Sequence, residues 1–175
     1  MSEGTASRKI GIVMGSDSDI ETMKETVKVL KEFQVGFDVD VISCHRAPQL
    51  AYQYAQGAEK KGYEIIIAGA GGAAALPGVL ASLTTLPVIG VPIIRETFGG
   101  QDALYSMLQM PAGVPVAIAG IGNVGARNAG ILAVEVLSLK DASLRKRLRD
   151  YKERLVQEVR KRAKEVEREL GKMDH

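Results

Sequence analysis

The run Ser43-Cys44-His45-Arg46-Ala47-Pro48 sets an imidazole between a thiol and a guanidinium. His45 is the only histidine in the body of the chain, the other being the last residue, His175. An imidazole both gives and accepts protons near neutrality, so one placed beside an arginine suits proton transfer next to a bound anion. A lone histidine also serves in structure, and residue type alone leaves both roles open. Cys44 has a nucleophile's side chain, but no Cys-His-Asn or Cys-His-Asp set accompanies it, which favours a packing role. One cysteine and one internal histidine do not make a metal site, and none is expected.

A second group, Met14-Gly15-Ser16-Asp17-Ser18-Asp19, places hydroxyls and free backbone N–H groups where a helical pattern begins. The Ser16 and Ser18 hydroxyls and the free N–H groups there can bind an anion, and Ser and Asp such as Asp19 are also the preferred capping residues of helices. The run is neither GxGxxG nor a Walker motif, so a dinucleotide or ATP site is not expected. A third group, from Ala68 to Gly78, is almost bare of side chains: Gly69, Gly71 and Gly72 fall within four positions, before Ala75, Leu76 and Pro77. Such a loop lets backbone approach a ligand and offers N–H donors; tight helix-sheet contact also uses small residues, but not at this density. Two further constrained turns, 109–115 and 125–130, are site walls or subunit contacts.

These loops need elements to hold them. Short β-branched runs at 9–14, 37–42, 64–68, 87–91 and 116–119 alternate with helical patterns at 19–33, 48–60, 76–84, 101–110 and 126–137. Continuous apolar runs such as Ile65-Ile66-Ile67 suit strands buried on both faces of a parallel sheet. Strict alternation predicts an α/β fold of three layers, α/β/α, with a flavodoxin-like doubly wound parallel sheet. Ligands bind such sheets outside the carboxyl ends of the strands, where all three groups fall. From about Ser143 a long charged helix carries Leu144, Leu148, Tyr151, Leu155, Val159, Val166 and Leu170 every three or four residues, a stripe that must be covered by its own sheet or by a neighbouring subunit. The expected organisation is a flexible leader, 1–8, and one domain, 9–175, that includes this helix.

Composition narrows the classes. With 46% hydrophobic and 25% charged residues in 175, the chain reads as globular. Aromatics make up 5%, without tryptophan, so a stacking platform for nucleic acid is not supplied. Net charge is +2, and 13 of the 23 lysines and arginines lie between Lys140 and Lys172, mixed with acidic residues as on a solvated helix face. No apolar stretch reaches the ~20 residues of a membrane span, and a single cysteine excludes an intrachain disulfide. A cytoplasmic protein without nucleic-acid or membrane partners is expected.

Taken together in order, the runs 14–19, 43–48, 69–74, 76–78 and 109–115 resemble the class I N5-carboxyaminoimidazole ribonucleotide mutases of purine biosynthesis, over about 9–139. The resemblance implies transfer of a carboxylate from the exocyclic N5 to ring carbon C4 of an aminoimidazole ribonucleotide, giving the 4-carboxy product on the route to IMP, with no metal, nucleotide or organic cofactor. It implies His45 as general acid and base, and Ser16, Asp19 and Arg46 as holders of the ribose phosphate moiety. Ser18, Ser43, Gly71, Gly72 and Leu76 complete the implied substrate site, the glycine-rich loop donating backbone N–H groups to the carboxylate. A homo-octamer is also implied. The family usually has Ala at the position of Cys44 and His at that of Ala75; the second departure removes an imidazole from the glycine-rich loop. Direct carboxylation of aminoimidazole ribonucleotide by CO₂, and a non-catalytic ribonucleotide-binding homologue, are the alternatives.

Overall fold

The structure, a computed structural model, describes residues 8–171. The expected leader, apart from Arg8, and His175 lie outside the described residues. Five parallel strands form one sheet: β1 (Arg8–Met14), β2 (Gly36–Val41), β3 (Ile65–Ala70), β4 (Val88–Pro92) and β5 (Ala117–Ile118), in the order β2-β1-β3-β4-β5. Helices α1 (Ile20–Glu32), α2 (Pro48–Ala58), α3 (Leu76–Leu83), α4 (Gln101–Leu108) and α5 (Gly122–Ser138) follow the strands in turn, and α6 (Ala142–Leu170) comes last.

This order explains the layers. A crossover between parallel strands is right-handed, so moving from β1 to β2 in one direction and from β2 through β3 and β4 to β5 in the other puts α1 on one face and α2, α3 and α4 on the opposite face. Helix α5 follows the last strand and packs beside α1, where Thr26 Oγ1 donates to the Ala126 carbonyl at 2.7 Å. The strand order is the flavodoxin-like one expected from the alternation. Every residue of β3 and β4 is buried, as their apolar runs require, whereas β2 at the sheet edge leaves Val39 and Val41 exposed.

Register brings the strand ends level. Met14 pairs with Val41 on one side and with Gly69 on the other, and Gly69 pairs with Val91. The loops after β1, β2, β3 and β4 therefore leave the same edge of the sheet. Two expectations are corrected in detail. The last strand is two residues long instead of four, pairing with β4 only at Ala117 and Ile118, with the chain turning away at Gly120, φ +134°. Helix α5 begins at Gly122 instead of residue 126, and the Gly125 N–H already donates to the Ile121 carbonyl at 3.1 Å.

Two compact units make up the chain, one running to Val136 and one from Leu137 onward. In the second, Asp141 caps α6 by accepting the Leu144 N–H at 2.9 Å, and Arg145 donates to the carbonyls of Ser138 and Leu139. Leu144, Leu148 and Tyr151 are buried; Leu155, Val159, Val166 and Leu170 are exposed. None of the helices among the described residues is long and apolar enough to cross a membrane.

Candidate active site

Beyond β1 the chain is anchored to β3 by the Gly15 N–H, which donates to the Gly69 carbonyl at 2.9 Å. Ser16 caps the 3-10 turn Asp17–Asp19: its Oγ accepts the Ser18 N–H at 3.4 Å, and its own N–H donates to Asp19 Oδ2 at 3.1 Å, a reciprocal capping box. Ser18 Oγ donates to Ser16 Oγ at 3.0 Å, so the two hydroxyls stand side by side. Capping and lining a ligand site are thus compatible in the same residues.

Asp19 is 1% exposed. Its carboxylate pairs with the Arg95 guanidinium, whose Nη2 also donates to Ser18 Oγ at 3.1 Å. Burial pushes the Asp19 carboxyl above its ordinary value of 3.8, opposed by the charge of Arg95 and the Ser16 N–H, while Asp17 adds to the rise.

Past β2 the Ile42 N–H donates to the Met14 carbonyl at 2.8 Å, and the Ala47 N–H closes a turn onto the Ser43 carbonyl at 2.8 Å before Pro48 opens α2. His45 and Arg46 are exposed on this turn, and Arg46 Nε donates to Ser43 Oγ at 3.1 Å. Cys44 is buried and unpaired, and burial pushes its thiol up, the behaviour of a packing residue. In the loop after β3, Gly72 has φ +64° and Ala74 φ +37°, and the Ala74 N–H donates to the Gly71 carbonyl at 3.2 Å.

These segments line an open cleft of about 110 Å³. Ser16, Asp19, Ser43, His45, Gly71 and Leu76 line it. Ser18 adjoins the cleft through Ser16 and Arg95, and Arg46 through Ser43, while Gly72 sits in the turn next to Gly71. Ala75 also lines the cleft, presenting a methyl group. The motif-based reading missed Arg95, which lines the cleft from the loop after β4. Its run carries no motif; position alone points to it, since ligands bind outside the carboxyl ends of the strands and Arg95 lies three residues past Pro92. Among the described residues no group of three or more His, Cys, Asp or Glu side chains is placed to hold a metal ion. The cleft therefore offers hydroxyls, one carboxylate-guanidinium pair, an imidazole and backbone amides, the means for binding a polar anion and moving a proton beside it.

Comparison with known proteins bears on what that anion is. A family model described as AIR carboxylase matches residues 9–158. An Aquifex aeolicus protein named N5-carboxyaminoimidazole ribonucleotide mutase is 58% identical over 139 residues, covering 79% of this chain and 82% of its own. A Thermotoga maritima protein of the same name is 48% identical over 159 residues, covering 91% of this chain and 92% of its own. The crystal structure of Treponema denticola PurE superposes with a TM-score of 0.79 at 26% identity, over 88% of this chain and 95% of the other.

Proposed function

This chain belongs to the AIR carboxylase family, and on that footing we propose how its cleft carries out the reaction of an N5-carboxyaminoimidazole ribonucleotide mutase. The protein is an isomerase of purine biosynthesis, acting on a small ribonucleotide. The observation that carries the reading is the convergence of Ser16, Asp19, Ser43, His45, Gly71 and Leu76, from three separate loops, in one cleft.

Ser16, Ser18 and Arg46 hold the ribose phosphate, Ser43 orients Arg46, and Asp19 accepts from the ribose hydroxyls. Leu76 gives the aminoimidazole ring an apolar wall, and the backbone N–H groups of Gly71 and Gly72 donate to the carboxylate. His45 begins protonated. The N5–carboxylate bond breaks, its electron pair stays on N5, and N5 takes the proton from His45 as CO₂ is released into the cleft. The ring's enamine electrons then form the C4–carbon bond to CO₂. Neutral His45 removes the C4 proton, restoring the aromatic ring and its own starting charge. One proton has moved from C4 to N5 by way of one imidazole, and no oxidant or second substrate enters. A methyl group at Ala75 is compatible with this scheme, because it assigns no proton to the loop imidazole usual in the family.

We further propose that the protein works in the cytoplasm as a homo-octamer without nucleic-acid partners. The exposed Leu155, Val159, Val166 and Leu170 of α6 support assembly, since such a stripe on a monomer would meet water. The test of the activity is conversion of N5-carboxyaminoimidazole ribonucleotide to the 4-carboxy product by the purified protein in CO₂-depleted buffer. Product arising only from aminoimidazole ribonucleotide plus CO₂ would contradict the mutase assignment.

A further inference from the structure

Arg95 belongs to none of the motifs, and the scheme above gives it no role. We propose that Arg95 is a substrate-positioning residue that joins Ser16 and Ser18 in holding the ribose phosphate and sets the preference for a phosphorylated ligand. The identity of the ligand rests on the proposed mutase function; the assignment of an anion to Arg95 rests on geometry.

A guanidinium has five N–H donors in a planar fork. In Arg95, Nη2 is committed to Asp19 Oδ1 and Ser18 Oγ, while Nε and Nη1 have no hydrogen-bond partner among the described residues. Three donors remain on a half-buried side chain that lines the cleft. Ser18 Oγ donates to Ser16 Oγ, which in turn donates to Asp17 Oδ1 at 3.0 Å, so the guanidinium and the two hydroxyls form one hydrogen-bonded group in which the free N–H groups of Arg95 are the unspent donors. Arg46, by contrast, is exposed and does not itself line the cleft, its Nε donating to Ser43 Oγ.

The loop after β3 is shaped to admit the side chain. A Cβ on Gly71 would stand 2.8 Å from Arg95 Nε and 3.2 Å from its Cγ, so the absence of a side chain at Gly71 lets the arginine lie across the loop. Charge gives the second reason. A buried carboxylate close to a phosphate repels it, because desolvated like charges interact strongly. Arg95 against Asp19 cancels that charge, and Asp19 remains an acceptor for hydroxyls while the free edge of Arg95 faces the anion. The substrate carries a second anion, its carboxylate, and the experiment separates the two.

Steady-state kinetics with N5-carboxyaminoimidazole ribonucleotide, and binding of aminoimidazole ribonucleotide and of its nucleoside, are measured for wild type, Arg95→Ala, Arg95→Gln and Arg95→Lys. Losing charge-assisted hydrogen bonds to phosphate weakens both nucleotides by about tenfold or more in the Ala and Gln variants. Nucleoside affinity stays within about twofold and kcat within about threefold, with Lys intermediate because it retains the charge but not the fork. Unchanged nucleotide affinity in folded Arg95→Gln overturns the proposal, as does an equal loss for nucleoside and nucleotide. A loss confined to the carboxylated nucleotide overturns the phosphate assignment in favour of the carboxylate. Wild type that binds aminoimidazole ribonucleotide through Arg95 but does not convert the substrate supports the Arg95 proposal while the mutase reading fails.

Discussion

His45 is the residue on which the chemistry turns, and its exposure on the turn after β2 leaves it free to reach a ligand in the cleft. His45→Asn keeps the shape and removes the titrating group, so turnover should fall by at least about 10²-fold while nucleotide affinity is nearly retained. Near-normal turnover in single-turnover measurements would remove His45 from the mechanism. Asp19 yields a prediction in pH. Its folded-state carboxyl lies above 3.8 because burial outweighs the help of Arg95. The folded state therefore holds a proton that the unfolded chain has released, so the stability contributed by this group is full below that ordinary value and is lost as pH rises through the raised one. The stability of wild type minus that of Asp19→Asn should accordingly decline as pH rises from about 3 to neutrality. A difference that grows with pH, followed by denaturant unfolding, would mean that the Arg95 pair outweighs burial. Ser16, Asp19 and His45 were legible in the sequence because each sits in a short run of unusual composition. Arg95 was not, because a single arginine in the run 93–100 has no spacing signature; only the level ends of β1, β3 and β4 bring it within reach of Asp19.

Among the elements, the glycine-rich loop after β3 separates two uses of glycine that sequence alone does not distinguish. Gly72 has φ +64° with open space where a Cβ would stand, so Gly72→Ala should cost about 1–2 kcal/mol of stability through backbone strain alone. Gly71 has no such φ but meets Arg95, so Gly71→Ala should chiefly push the guanidinium aside and weaken nucleotide binding. Chemical denaturation and nucleotide titration on the two variants check this, and the same response in both would contradict the distinction. The alternation of apolar runs and helical patterns made the sheet readable, since β3 and β4 are buried along their whole length and carry continuous apolar sequence. It read less well at the far edge. β5 is held by only two pairings and α5 starts in a glycine-bearing segment, where local composition points to a turn and backbone hydrogen bonding prevails.

For the whole molecule, α6 is the feature that one chain leaves unfinished. Its 29 residues extend about 44 Å at 1.5 Å per residue, and the stripe is buried at Leu144, Leu148 and Tyr151 but exposed from Leu155 onward. If this stripe is covered by assembly, sedimentation equilibrium should report an oligomer of about eight copies, and Val159→Glu with Val166→Glu should shift it to smaller species because buried carboxylates are costly. A monomeric wild type would refute the assembly. The stripe was visible in the sequence, but its partner was not, since periodicity states that a face is apolar and not what covers it.

The central claim, that the carboxylate moves within one cleft and does not come from solution, is tested most directly with isotope. N5-carboxyaminoimidazole ribonucleotide labelled with ¹³C in its carboxylate is incubated with the enzyme in buffer containing unlabelled CO₂, and the product is examined by mass spectrometry. The account predicts that most of the label is retained on C4. Product carrying only unlabelled carboxylate, or no 4-carboxy product at all, would contradict it.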